Sequence, residues 1–287
     1  MRVEGKEKLL KILTYTLLVS WAMFALFPTY WTITTSFKEK LDVFLGPKYV
    51  PWADFKPVLK WWKRIFTVER SEVIRPFKNS IIIATISSLI AMLLGTMAAY
   101  GLTRFRFKLG RLGNQDILVW IISQRMMPPI VTVLALFLMF KIVSEKYLID
   151  SLLGMILVYS SFNLPIAVWV MRNFLSQIPL SIEEAAMVDG ASRTQIFFRI
   201  IIPMTLPSLT ATFLLCFIFA WNEFLFALLL TFSDARTVPI LIASQHFQRG
   251  PQWWDISALS TLAIAPVIII ALSLQRYLVR GLIPMKR

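Results

Sequence analysis

The sequence of 287 residues contains very little cysteine, histidine and charge. Its single cysteine, Cys216, has no second thiol with which to form an internal disulfide, and its single histidine, His246, excludes a histidine-rich metal site. Only 16% of the residues are charged, whereas 57% are hydrophobic, so there are too few polar side chains to cover a water-soluble surface. The composition therefore excludes a soluble enzyme, a secreted disulfide scaffold and a disordered chain, and it predicts an integral membrane protein.

Long apolar runs with at most one charged residue mark the expected membrane spans, because a bilayer core about 30 Å thick needs about 20 apolar residues in a helix. Two of these runs contain one charge each, Arg125 in one and Glu223 in the other. The first run is too long for the apolar region of a signal peptide, so we interpret it as a retained helix. The sequence predicts an all-α integral membrane protein with six spans, at 12–36, 79–103, 117–140, 151–172, 206–230 and 256–277.

The formal net charge of the sequence is +14. The basic residues that produce it lie mainly between the apolar runs. Lys and Arg in such positions face anionic headgroups, which indicates membrane lipid and not nucleic acid as the partner of this charge. In the six-span arrangement, the segments on the two sides of the membrane carry nearly equal numbers of Lys and Arg. The reason is the 38–78 segment, which carries ten of them together with five acidic residues. The clusters at both termini and at 104–111 favour cytoplasmic termini. We expect a tail and first helix at 1–37, an extracytoplasmic loop at 38–78 and a core at 79–287.

The connection at 179–203, between the fourth and fifth spans, has helix signals of its own. Ser181 with Glu184, and Ser192 with Gln195, fit the capping-box pattern that opens a helix. A glycine between them is placed to end the first helix in a left-handed conformation. The pattern predicts a helix, a glycine turn and a second helix that stops at the final proline. Small alanines at its tip suit docking into the groove of a partner protein.

This connection resembles the EAA loop of ABC-importer permeases. The family pattern reads EAA-x3-G-x9-I-x-LP, and it is matched by Glu184-Ala185-Ala186, Gly190 and Ile200 to Pro203, with Ile202 in place of the leucine. Other segments resemble the smaller permease of maltose-type sugar importers, so that the resemblance covers about 75 to 280. Those segments are Asp189-Gly190-Ala191, Asn163-Leu164-Pro165, Trp169-Val170-Met171-Arg172 and Trp221-Asn222-Glu223-Phe224.

The resemblance implies a type I ABC importer permease in the cytoplasmic (inner) membrane that translocates a sugar or polyol, with its EAA loop and both termini cytoplasmic. The loop would couple to a dimer of ABC ATPase subunits. A second, non-identical permease and an extracytoplasmic substrate-binding protein would complete the assembly. Because the sequence contains no G-x-x-x-x-G-K-[ST], we expect no cofactor in this chain. ATP and Mg would bind to the partner ATPase, and this chain would not be an enzyme.

The resemblance also suggests two sets of functional residues. The ATPase-coupling set is Glu183, Glu184, Ala185, Ala186, Asp189, Gly190, Ala191 and Pro203. The candidate translocation path consists of Trp221, Asn222, Glu223, Asn163 and Arg125. No catalytic or metal-binding residue is expected.

The two intramembrane charges leave alternatives open. A charged side chain at a helix centre costs at least about 2.5–3.5 kcal/mol, so it should face a partner or a wet cavity. Glu223 and Arg125 could contact sugar hydroxyls, or they could pair with each other or with a second permease. They could also form the relay of an ion-coupled secondary transporter that works without ATP, although six spans without an internal repeat are few for such a carrier.

Tryptophan pairs lie near the expected outer ends of two spans. Trp61-Trp62 and Trp253-Trp254 favour anchoring at the membrane interface. Alternatively, the 38–78 and 234–255 loops, with His246, could dock a substrate-binding protein.

Overall fold

The computed structural model describes residues 2–67, 70–108, 110, 112–247 and 250–282. The side chain of His246 and the C-terminal residues 283–287 lie outside the described part of the chain. The chain divides into two compact units, one of 1–73 with 242–265 and the other of 74–241 with 266–287.

The described residues are mostly helical. The α-helices are α1 (Arg2–Thr35), α2 (Lys40–Phe44), α3 (Lys60–Thr67), α4 (Arg70–Arg104), α5 (Asn114–Ser123), α6 (Pro129–Leu148), α7 (Leu152–Leu175), α8 (Leu180–Val188), α9 (Arg193–Ile196), α10 (Ile202–Met204), α11 (Leu206–Trp221), α12 (Leu225–Leu230), α13 (Val238–Ala243) and α14 (Trp253–Leu282). A 3₁₀ turn covers Gln124–Met126 and a π-helical turn covers Phe197–Ile201. Two short strands, β1 (His246–Phe247) and β2 (Gly250–Pro251), pair antiparallel.

The expected all-α membrane fold is confirmed, with two of its spans bent. Four described helices are long and apolar enough to cross a membrane, and the number rises to six if each of two bent helix pairs counts as one span. The four are parts of α1, α4, α7 and α14. The chain is therefore a multi-pass membrane protein.

The third expected span, 117–140, is not one straight helix. The segment Asn114–Met126 meets α6 at a bend of 89°. Pro128 and Pro129 lie at this bend, and proline removes a backbone donor and clashes with the preceding helical turn. The two prolines therefore account for the interruption of this span.

The prediction of one continuous helix at 206–230 is wrong. The helix is interrupted after Trp221, and α12 begins only at Leu225. A bend of 75° also lies just before this region, between Arg193–Met204 and α11. The second helix of the 179–203 segment likewise does not stop at Pro203, because α10 includes this proline and ends at Met204. Proline is tolerated there because it lies in the first turn of α10.

The 38–78 segment is largely folded. It contains α2, α3 and the first residues of α4, so 70–78 is helical and not a loop. Trp61 is buried and donates a hydrogen bond to the carbonyl of Lys38 over 2.8 Å. Its ring centroid lies 5.3 Å from that of Trp254. Both of these tryptophans pack inside the unit, which corrects their expected role as anchors at the membrane interface.

Helix α7 is at the centre of the second unit, where α5, α6, α11 and α12 pack against it. Small side chains permit close approach, and a buried cluster is formed by Ala91, Ala167 and Cys216. Such small-residue contacts are typical of helix packing within membranes.

Candidate functional site

The 179–203 segment has the predicted helix–turn–helix form. Gly190 lies between α8 and α9 with φ +84°, the left-handed conformation expected of it. The second capping box is confirmed, because the Ser192 hydroxyl accepts from the Gln195 N–H (3.3 Å) and the Gln195 side chain accepts from the Ser192 N–H (2.8 Å). The first box is wrong. Helix α8 begins at Leu180 after Pro179 and has no side-chain cap, so Ser181 lies within its first turn.

The carboxylate of Glu183 is buried inside the chain, with only 3% of the residue exposed. Its Oε1 accepts from Arg104 Nε over 2.5 Å and its Oε2 accepts from the Tyr100 hydroxyl over 2.7 Å. Arg104 also donates to the carbonyl of Ile178 over 3.0 Å. Glu183 thus ties α8 to the end of α4 and is not at the surface, so it can take part in coupling through this contact and not by touching a partner. We define Tyr100, Arg104 and Glu183 as the buried triad.

The remaining coupling residues, apart from Pro203 in α10, form the accessible tip of the segment around the turn between α8 and α9. Glu184, Ala185, Asp189, Gly190 and Pro203 are exposed. Ala186 and Ala191 are half-buried against an apolar cluster of the second unit. A cavity of about 390 Å³ lies beside this tip, lined by Asp189, Gly190, Ala191, Gln195, Arg199 and Ile200. A Cβ added at Gly190 would meet no atom within 4 Å, so the tip is open to a docking partner.

The carboxylate of Glu223 bridges the break between α11 and α12. Its Oε1 accepts from the Phe226 N–H over 2.9 Å and its Oε2 from the Ala227 N–H over 3.3 Å. The hydroxyl of Tyr159 donates to the same Oε2 over 2.8 Å. Glu223 therefore satisfies backbone donors at the start of α12, which have no partner within their own helix.

Arg125 has different partners. Its guanidinium donates to the carbonyl of Phe162 over 2.8 Å and lies 5.1 Å and 4.6 Å from the ring centroids of Phe162 and Phe219. Within the described residues no ion pair joins it to Glu223, so the structure does not support the alternative in which the two charges pair within this chain. Arg125 also lines a mainly apolar cavity of about 580 Å³ between α6 and α7.

The other path candidates divide into packed and exposed side chains. Asn163 is buried and donates to the carbonyl of Cys216 over 3.3 Å. Trp221 is 4% exposed and stacks on Phe217 with 5.8 Å between ring centroids. By contrast, Asn222 is exposed and Glu223 is half-buried. Of these four residues, Asn222 and Glu223 are therefore the two with accessible side chains.

The Asp150 carboxylate forms a polar cluster that sequence reasoning missed. It accepts from the backbone N–H groups of Phe232, Ser233, Asp234 and Ala235 over 2.9–3.0 Å. Partial burial raises the pKa of this carboxyl, but the four donors outweigh burial and lower the pKa to about 2. The cluster joins the α6–α7 turn to the chain after α12. No local spacing signals it, because its partners lie at least 82 positions away in the sequence.

Comparison with known proteins adds the following findings. The sequence model of the family described as "Binding-protein-dependent transport system inner membrane component" matches residues 91–284. The trehalose/maltose transport system permease protein MalG of Thermococcus litoralis is 36% identical over 284 residues, which is 98% of this chain and 97% of that protein. The sulfoquinovosyl glycerol transport system permease protein SmoH of Agrobacterium fabrum is 30% identical, over 90% of this chain and 87% of its own length.

A solved structure shares the fold over almost the whole chain. It is a bacterial ABC transporter involved in the import of the acidic polysaccharide alginate. The TM-score is 0.71 at 21% identity, with 95% of this chain and 97% of that chain covered.

Proposed function

Since this chain belongs to the family of binding-protein-dependent transport system inner membrane components, we propose that it translocates a sugar or polyol as the permease subunit of an ATP-driven ABC importer. The sugar class is supported by the relatives, two of which are named as permeases for trehalose/maltose and for sulfoquinovosyl glycerol.

The observation that carries the coupling mechanism is the contrast between the exposed tip and the buried triad beneath it. The tip offers small side chains and the carboxylates of Glu184 and Asp189 to a partner. Behind it, the ion pair of Glu183 with Arg104 connects α8 to the membrane helix α4. Docking of an ABC ATPase on the tip would therefore move α4 together with α8, because a buried ion pair resists separation of its partners.

The assembly needs partners that supply energy and substrate. We place ATP and Mg on a dimer of ABC ATPase subunits, which contact the exposed tip. A second, non-identical permease completes the pathway, and an extracytoplasmic binding protein delivers the sugar. In this arrangement the chain lies in the cytoplasmic membrane with its termini and the 179–203 segment on the cytoplasmic side.

The translocation path is assigned to the break after α11. Asn222 is exposed there and Glu223 is half-buried, so both can offer hydrogen bonds to sugar hydroxyls. Asn163 and Trp221 are buried and support this region by packing. Arg125 supports it through its contacts with Phe162 and Phe219. The contacts of Glu223 and Arg125 do not form a charge relay, so the ion-coupled alternative has no support.

Gly190→Asp tests the coupling role. The variant adds a charged side chain to the open tip, so we expect it to stay in the membrane but to lose about tenfold or more in ATP-driven uptake, equivalent to at least about 1.4 kcal/mol of docking energy. Uptake and ATP hydrolysis would be measured on the complex purified in mild detergent and reconstituted into vesicles.

The matched control is Gly190→Asn, because asparagine also tolerates the left-handed conformation but adds no charge. It should retain most of the uptake. Normal ATP-driven uptake by Gly190→Asp would contradict the coupling role. Purification of the wild-type chain without any ATPase, but with transport activity, would contradict the importer itself.

A further inference from the structure

Residues 46–55, which we call the return loop, fold back along the first membrane helix. The carbonyl of Tyr49 accepts from the Tyr30 hydroxyl over 2.8 Å, and the Tyr49 ring centroid lies 5.3 Å from that of Trp31. Helix α1 ends at Thr35. At 1.5 Å per residue, Tyr30 lies roughly 8 Å before that end. The return loop therefore reaches the level of the last two turns of a helix that crosses the membrane.

The return loop turns one aromatic ring inward and another outward. Phe55 is buried at 5% exposure, and its ring centroid lies 5.3 Å from Lys38 Nζ. Trp52 is 82% exposed and Val50 is 52% exposed. The apolar side chains on the outside of the loop thus lie beside α1, and the described residues of this unit do not cover them.

The backbone holds Trp52 in this outward position at a cost. Its φ of +65° is left-handed, which for a bulky side chain is about 1–2 kcal/mol less favourable than an ordinary conformation. The turn is fixed by the Trp52 N–H, which donates to the Phe55 carbonyl over 2.8 Å. It is also fixed by Asp54, whose carboxylate accepts from the N–H groups of Tyr49 (2.7 Å) and Val50 (2.9 Å). Glycine or asparagine would relieve this strain, so a tryptophan here suggests a use for its side chain.

The surroundings of the loop match a lipid surface. A cavity of about 420 Å³ between the loop and the end of α1 is lined by Ile33, Phe37, Pro51, Trp52 and Leu59 together with neighbouring residues. The outward side chains Trp52 and Val50 are both exposed and apolar, and tryptophan is enriched where a membrane meets water.

We propose that the return loop is a membrane-inserting anchor, in which Trp52 and Val50 enter the interfacial layer of the leaflet where α1 ends. The occupant of this surface is lipid because its outward side chains are apolar and lie beside the last two turns of a helix that is apolar enough to cross the membrane. The anchor fixes the orientation of the 38–67 part of the chain relative to the bilayer. It is a membrane contact in addition to the spanning helices and does not depend on the transported substrate.

Site-specific quenching tests this proposal. Trp52→Cys is introduced in a Cys216→Ala background, labelled with a polarity-sensitive fluorophore, and the full chain is reconstituted into vesicles of phosphatidylcholine and phosphatidylglycerol. Lipids brominated near the carbonyl end of the acyl chain should reduce the fluorescence about twofold, because interfacial side chains lie about 5–10 Å into the bilayer boundary. A label at Val50→Cys should respond in the same way, which protects the result from a local defect of one variant.

Asp189→Cys in the same background is the matched control, because this residue is exposed at the tip of the 179–203 segment. Its label should be quenched by aqueous iodide and not by brominated lipid. The proposal is overturned if the labels at positions 52 and 50 behave like this control. If a binding protein then shields those two labels from iodide, the surface is a protein dock and not a lipid anchor.

Discussion

At the scale of single residues, two adjacent glutamates in α8 have opposite environments. Glu183 is buried against Arg104 and Tyr100, whereas Glu184 is exposed. The resemblance of the segment to an EAA loop assigns both to the same ATPase-coupling set. Burial divides their roles, because a charge that is satisfied inside the chain holds structure and only an exposed one can meet a partner.

Glu183→Gln should lower the thermal stability of the chain in mild detergent. The Arg104 side chain, 7% exposed, would then lack its carboxylate, and breaking a buried pair typically costs about 3–5 kcal/mol. Glu184→Gln is the control, and we expect it to leave the unfolding temperature unchanged while reducing ATP-driven uptake. Equal unfolding temperatures for the two variants would show that the buried triad has no stabilising role.

Asp150→Asn should weaken the chain in a pH-dependent manner. The folded-state pKa of about 2 lies below the ordinary value of 3.8, so the carboxylate contributes stability above about pH 4 and loses it as the pH falls towards 2. With allowance for solvent screening, we expect the variant to be about 1 kcal/mol less stable at neutral pH. The difference should shrink at about pH 3, as measured by unfolding in detergent. Asp189→Asn, at an exposed position, is the control. Wild-type stability of Asp150→Asn at neutral pH would contradict this role.

At the scale of elements, glycine sets the distance between α4 and α7. A Cβ on Gly95 would lie 2.6 Å from the Cβ of Ala167 and 3.0 Å from the carbonyl carbon of Ala167. The two helices can therefore approach this closely only if position 95 has no side chain. Close packing of this kind replaces the hydrophobic effect as the source of attraction between helices in lipid.

Gly95→Ala should therefore force α4 and α7 apart, with an expected cost of about 1–3 kcal/mol from overpacking. Gly101→Ala in the same helix is the matched control, because its added Cβ would meet only the ring of Phe107, at the ordinary distance of 3.8 Å. Unfolding temperatures in detergent compare the two variants. A Gly95→Ala chain as stable as the Gly101→Ala chain would show that the helices can separate without loss.

At the scale of the whole molecule, the proposed topology places the α6–α7 turn and the 179–203 segment on opposite sides of the membrane. Lys146 and Asp189 are both exposed, so each can be replaced by cysteine in a Cys216→Ala background. A membrane-impermeant thiol reagent added to intact cells should label position 146, and it should reach position 189 only after the membrane is opened. The reverse pattern would invert the topology.

Local sequence signals were sufficient for the four unbroken spans and for much of the 179–203 segment. Long apolar runs predict membrane helices because a helix satisfies its own backbone hydrogen bonds, which the hydrocarbon core of the bilayer cannot do. The left-handed Gly190 and the cap formed by Ser192 with Gln195 were likewise predictable, since each interaction lies within one turn of chain. The Ser181 capping box failed because Pro179 starts the helix earlier than that pattern indicated.

The sequence by itself determined which segments enter the membrane and where the exposed tip lies, because both depend on neighbouring residues. Only the tertiary structure decided which polar groups are satisfied inside the chain. The partner of Glu183 is 79 positions away, and Tyr159 is 64 positions from Glu223. No spacing rule encodes such pairs. They arise because a low-dielectric interior requires every buried charge to find a donor or acceptor among the groups that folding brings near it.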